Sequence, residues 1–136
     1  QEFKPDCTIN LLILSHGRPA KYAWACSILT RESVRLVLAR RFVGISSRDE
    51  VEWSAMLFGL GQAMRLQQEK VQVCADFSDI LQIAGKHRDP QIQSLKAAAQ
   101  DAWASFRLRK EGRISADEEM LLKEEASKAF SRKSRD

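Results

Sequence analysis

Ile45-Ser46-Ser47-Arg48-Asp49-Glu50-Val51-Glu52-Trp53 is where the pattern of the chain changes. Before it, apolar residues come in short runs rich in Val, Ile and Leu; after it they recur at helical spacing. Ser47, with Glu50 three residues on, forms a capping box that marks a helix start. Val51, Ala55, Phe58 and Gln62 then line one side of the helix, and Trp53, Leu57, Leu60 and Met64 another. So wide an apolar stripe predicts a buried helix running to about Gln67. Gly59 and Gly61 would each cost that helix about 1 kcal/mol, which predicts that both permit close packing against a sheet.

Working back from this boundary, residues 8–14 read as a buried strand, and Ser15-His16-Gly17-Arg18-Pro19 as a turn. Residues 21–30 and 34–45 read as two more strands, joined by Arg31-Glu32-Ser33 in a hairpin. Working forward, Val71, Val73 and Ala75 alternate with Gln72 and Cys74 as a fourth strand ended by Asp76-Phe77-Ser78-Asp79. A short helix follows to Gly85, then a longer one from Asp89-Pro90, with Pro at its favoured first position. Residues 106–109 read as a short strand, and Ser115 with Glu118 caps a last helix to about Phe130. The order predicts an α/β domain with a mixed sheet, three antiparallel strands then parallel strands, flanked by helices. One domain is expected over residues 8–130, after an extended lead-in (1–7) kept from helix by Pro5 and before a charged, frayed end (131–136). Ligands on such sheets gather at the carboxyl ends of parallel strands, here near Leu14, Ser15 and Asp76.

The 136 residues are 44% hydrophobic and 29% charged, enough for a core and against disorder. The apolar run from Ile9 to Leu14 is far short of the ~20 residues of a membrane helix, and no leader pattern is present, so a soluble intracellular protein without a membrane partner is expected. Cys7, Cys26 and Cys74 lack metal-type spacing and fit a reducing compartment, against a disulfide scaffold or a zinc site. A net charge of +4 is compatible with a polyanion partner without establishing one. Of the arginines in the third strand, simple alternation puts Arg35 and Arg41 on one face and Arg40 on the other; they would grip a phosphate backbone or guard a sheet edge.

On these residues the chain resembles the ribonuclease H family, over about Thr8 to Phe130. Val51-Glu52-Trp53, Ala55 and Phe58-Gly59-Leu60 resemble the family's first helix, which bears a carboxylate. Val71-Gln72-Val73-Cys74-Ala75-Asp76-Phe77-Ser78 resembles its strand ending in aspartate. The resemblance implies two-metal phosphodiester hydrolysis with Mg²⁺ or Mn²⁺ held by clustered carboxylates, Glu52 and Asp76 among them. It also shows departures. The shared first-strand aspartate is replaced by Leu14 or Ser15, the polar pair before the first helix becomes Arg48-Asp49, and the last helix offers Asp117, with Glu118, Glu119 or Glu124 as alternatives. The expectation is therefore a degenerate domain, with Glu52, Asp76 and Asp117 vestigial and no cofactor bound. It would bind nucleic acid (RNA or an RNA–DNA hybrid) through Arg18, Arg40, Arg41 and Arg48, or act as a scaffold within a larger assembly. The alternatives are an active metal-dependent ribonuclease H cutting RNA in hybrids, with Glu52 and Asp76 as metal ligands, and a protein-interaction subunit that binds no nucleic acid.

Overall fold

A computed structural model describes residues 4–135, so parts of the expected lead-in and of the charged end lie outside the described residues. The elements are β1 (Cys7–His16), β2 (Lys21–Thr30), β3 (Arg35–Ile45), α1 (Arg48–Arg65), β4 (Lys70–Cys74), a short 3-10 helix (Ser78–Gln82), α2 (Pro90–Ser105), β5 (Leu108–Gly112) and α3 (Ala116–Arg135). The sheet order is β3-β2-β1-β4-β5. The first three strands are antiparallel neighbours, while β4 runs parallel to β1 and β5 parallel to β4. This is the mixed sheet that the pattern predicted.

Local chemistry explains the element ends. The Ser47 side chain accepts from the Glu50 backbone N–H at the start of α1, and Asp89 accepts from Gln91 N–H ahead of Pro90 in α2. The last strand lies later than residues 106–109 because Phe106 is buried as the C-cap of α2; ladder pairing begins at Leu108, opposite Lys70. α3 continues to Arg135, past the expected end at Phe130, since neither Gly nor Pro follows Gly112 to stop it.

β1 lies between two apolar layers. Ile9, Leu11 and Ile13 face α1 and α2, where Trp53, Met56, Leu60 and Trp103 complete the larger core. Leu12 faces the other way, packing with Ala23, Ala25, Leu122, Ala126 and Ala129 under α3. Trp53 is buried as expected; Phe58 is only partly buried, its ring 4.7 Å from that of Trp24. A Cβ on Gly59 would come within 2.8 Å of Ile9 Cγ2, so this glycine is what lets α1 approach the sheet. Gly61 faces open space, contrary to the expectation that both glycines serve packing.

The second layer is held by a polar seam. A bulge between Ile28 and Leu29 shifts the register of β3. Arg35 therefore reaches α3 on the same face as Arg40, where uninterrupted alternation would have put it with Arg41. Arg35 pairs with Glu118 at 2.7 Å and Arg40 with Glu125 at 2.6 Å. The Ser27 hydroxyl donates to Glu118 at 2.7 Å and the Asn10 amide donates to Ser27 at 3.3 Å, so this buried chain of polar groups is mutually satisfied. Burial pushes the Glu125 carboxyl up, but hydrogen bonds and charge from Arg40 and Lys128 outweigh it and hold its pKa below the ordinary value.

Two outcomes are expected. Gly59→Ala should lower stability by about 1–3 kcal/mol through overpacking against Ile9, whereas Gly61→Ala should raise it by roughly 0.5–1 kcal/mol; urea unfolding compares them. The lowered Glu125 pKa means that its contribution is present above the unfolded-state value and is lost as pH falls through the folded value. Glu125→Gln should therefore flatten that part of the acid-unfolding curve and cost about 1–2 kcal/mol at neutral pH, as read by denaturant midpoints across a pH series.

Candidate functional site

The parallel pairing of β1 and β4 brings the carboxyl end of β1 toward Asp76. The paired register runs from Cys7↔Val71 to Asn10↔Cys74, where β4 ends. Leu12 and Leu14 line one groove with Asp76. Leu12 is buried beneath α3, and Leu14, one of the two positions matched to the family's first-strand aspartate, is half-buried.

Asp76 follows β4 at a turn, its side chain 73% exposed. Glu52 comes from the second turn of α1, with 14% of its side chain exposed. Arg48, one helical turn earlier, lies between them: its Nε donates to Glu52 Oε2 at 2.9 Å and its Nη2 is 3.8 Å from Asp76 Oδ2. Burial raises the pKa of Glu52; Arg48 opposes that rise by hydrogen bond and charge, while Asp49 and Asp76 add to it. Asp49 itself lies 3.4 Å from His87 Nε2.

A groove of about 210 Å³ beside Asp76 is walled by Leu12, Leu14 and Ile114, with Glu119 and Lys123 contributed by α3. A wider one of about 490 Å³ joins Asp76 to Asp79, Arg113 and Glu119. The α3 carboxylate that shares both grooves with Asp76 is thus Glu119, which lies 4.0 Å from Lys123. Asp117 is exposed and lines neither groove. Helical spacing separates the two: residues 119 and 123 share a face, and 117 does not.

The four arginines expected to grip nucleic acid do not form one track. Arg40 is engaged by Glu125 under α3, whereas Arg41 sits across from Trp24 on the α1 side of the sheet. Arg18 is exposed in the β1–β2 turn. Only Arg48 meets the carboxylates. Its i,i+4 spacing to Glu52 was the sequence signal for that contact. Sequence reading gave no role to Lys123 or Arg113, since nothing local links them to Asp76.

Among the described residues no group of three or more His, Cys, Asp or Glu is placed to hold a metal ion. Two carboxylates with a guanidinium between them and a leucine on the neighbouring strand do not fit a pair of divalent ions, which need several converging oxygen ligands. The arrangement suits contact with anions instead, because a guanidinium keeps free N–H groups for a phosphate. No helix among the described residues is long and apolar enough to cross a membrane. Leu12 serves the core, so Leu12→Ala should cost about 2–4 kcal/mol in urea unfolding, more than Leu14→Ala at its half-buried neighbour.

No protein-family model and no curated protein matches the sequence. Solved structures do match. The N-terminal RNase H domain of rv2228c from Mycobacterium tuberculosis is 17% identical with a TM-score of 0.78, over 96% of this chain and 97% of that one. RNase H1 of the halophilic archaeon Halobacterium salinarum is 14% identical with a TM-score of 0.75, over 93% and 98%. LC11-RNase H1, isolated from compost and solved in complex with an RNA/DNA hybrid, is 13% identical with a TM-score of 0.70, over 93% and 97%. Strand order, helix placement and this near-complete overlap agree: the chain has the ribonuclease-H-like fold.

Proposed function

We propose that this chain is a ribonuclease-H-like module that binds nucleic acid without cutting it, as one part of a larger assembly. The observation that carries the reading is the pair Leu12 and Leu14: the end of β1 that shares a groove with Asp76 presents hydrocarbon where two-metal hydrolysis requires a shared carboxylate. Without that ligand, Glu52 and Asp76 cannot fix the spacing of two ions, and the water-activating step has no support. Binding does not need that step. Arg48 in the cleft, with the exposed Arg18 and Arg41, supplies positive charge for phosphates, and a structure of the same fold, LC11-RNase H1, is described with an RNA/DNA hybrid bound.

A second reading keeps the enzyme. It is favoured by the meeting of Glu52 and Asp76 around one side chain, Arg48, which is closer convergence than two unrelated surface carboxylates would show.

An RNA–DNA hybrid labelled on the RNA strand separates the two readings. Incubation with the chain and Mg²⁺ or Mn²⁺ should give no cleavage above background. Fluorescence anisotropy should show binding that weakens steeply with salt, since released counterions carry such affinity. Metal-dependent cutting that Asp76→Asn abolishes would reject the binding module in favour of the nuclease.

A further inference from the structure

We infer that Arg48 is a tethered counter-cation that stands between Glu52 and Asp76 in place of a divalent ion, making this cleft one that excludes metal by construction. The inference deepens the reading above by saying what neutralises the carboxylates.

Asp49 and Asp76 both bear on Glu52, at the start of α1 and the end of β4. Like charges disfavour the ionised form, and a cation placed between them relieves that. Arg48 supplies it from within the chain, with Nε on Glu52 at 2.9 Å and Nη2 3.8 Å from Asp76. The helix fixes this geometry, because residues four apart share a face. A cation held one turn away competes with a free ion as if present at roughly millimolar concentration or above. A lone pair of carboxylates holds Mg²⁺ weakly, so the internal cation prevails.

An ordinary surface ion pair would look different. Glu52 is the less exposed partner, with 14% of its side chain open to solvent, and the charge of a second carboxylate, Asp76, acts on it through the shared Arg48 region. Arg48 keeps 43% of its side chain exposed while it holds Glu52. A guanidinium has five N–H donors, so those not engaged by Glu52 and Asp76 can meet a phosphate oxygen, the contact that a metal ion would otherwise make. The chain thus replaces an exchangeable, concentration-dependent charge by a permanent one.

The test uses the whole chain and Mn²⁺ alone, read by calorimetry and by the thermal unfolding midpoint. The unmodified protein should show no Mn²⁺-dependent rise in midpoint at millimolar metal. Arg48→Gln should bind Mn²⁺ about tenfold or more tightly and should gain a metal-dependent rise in midpoint. Adding Glu52→Gln to that variant should remove the gain, which places the ion on Glu52. Arg48→Met, which keeps the hydrocarbon stem, checks that any loss of folding in Arg48→Gln does not decide the result. Equal Mn²⁺ affinity with and without Arg48 would overturn the inference, and so would tight binding by the unmodified chain. No nucleic acid is present in this experiment, so failure to bind a hybrid would strike the proposed function and leave this result standing.

Discussion

β1 is buried on both faces, and most of the molecule is arranged to satisfy that constraint. A central strand with helices on either side must be apolar at successive positions, not at alternate ones. Ile9, Leu11 and Ile13 meet that demand toward α1 and α2, and Leu12 meets it toward α3. Gly59 brings α1 within reach of Ile9, while the small residues Ala126 and Ala129 bring α3 against Leu12. The same constraint bears on chemistry. A carboxylate at residue 12 would lie under α3 with Leu122 and Ala126 for neighbours, where an unpaired charge is costly.

α3 is attached by a seam in which ion pairs and hydrogen bonds alternate with hydrocarbon. Glu118 accepts from Ser27 and Arg35, and Glu125 accepts from Arg40 and Lys128. Removing one partner of so enclosed a pair leaves the other charge exposed to a poor solvent, so the seam sets the register of α3 on the sheet as well as its strength. It also takes two arginines out of contention for phosphate binding. Positive charge counted along β3 overstates what the surface offers, because Arg35 and Arg40 are already neutralised from α3.

The cleft at the strand ends combines these effects. Asp76 is placed by β4, Glu52 and Arg48 by α1, and Glu119 with Lys123 by α3. Arg48 is shared by Glu52 and Asp76, while Lys123 stands by Glu119, so carboxylates outnumber the cations that meet them.

Element types and their order were legible from the sequence because they rest on local periodicity. The change from short apolar runs to helical spacing at Ser46-Ser47, the caps at Ser47 and Asp89, and the alternation in Val71–Ala75 all act over a few residues. The places of Glu52 on the first helix and Asp76 after the fourth strand were legible for the same reason, whereas their part in a site rested on the resemblance to the ribonuclease H family. Three matters were decided only by the tertiary structure. Leu12 and Leu14 came to share a groove with Asp76 through the parallel pairing of β1 with β4, segments some sixty residues apart. Arg35 joined Arg40 through a bulge that no alternation rule foresees. Glu119 displaced Asp117 from the cleft because the seam at Glu118 and Glu125 fixes the rotation of α3 about its axis. Periodicity places a residue on its own element; which residues face one another across elements depends on register and rotation, and those are settled by long-range packing.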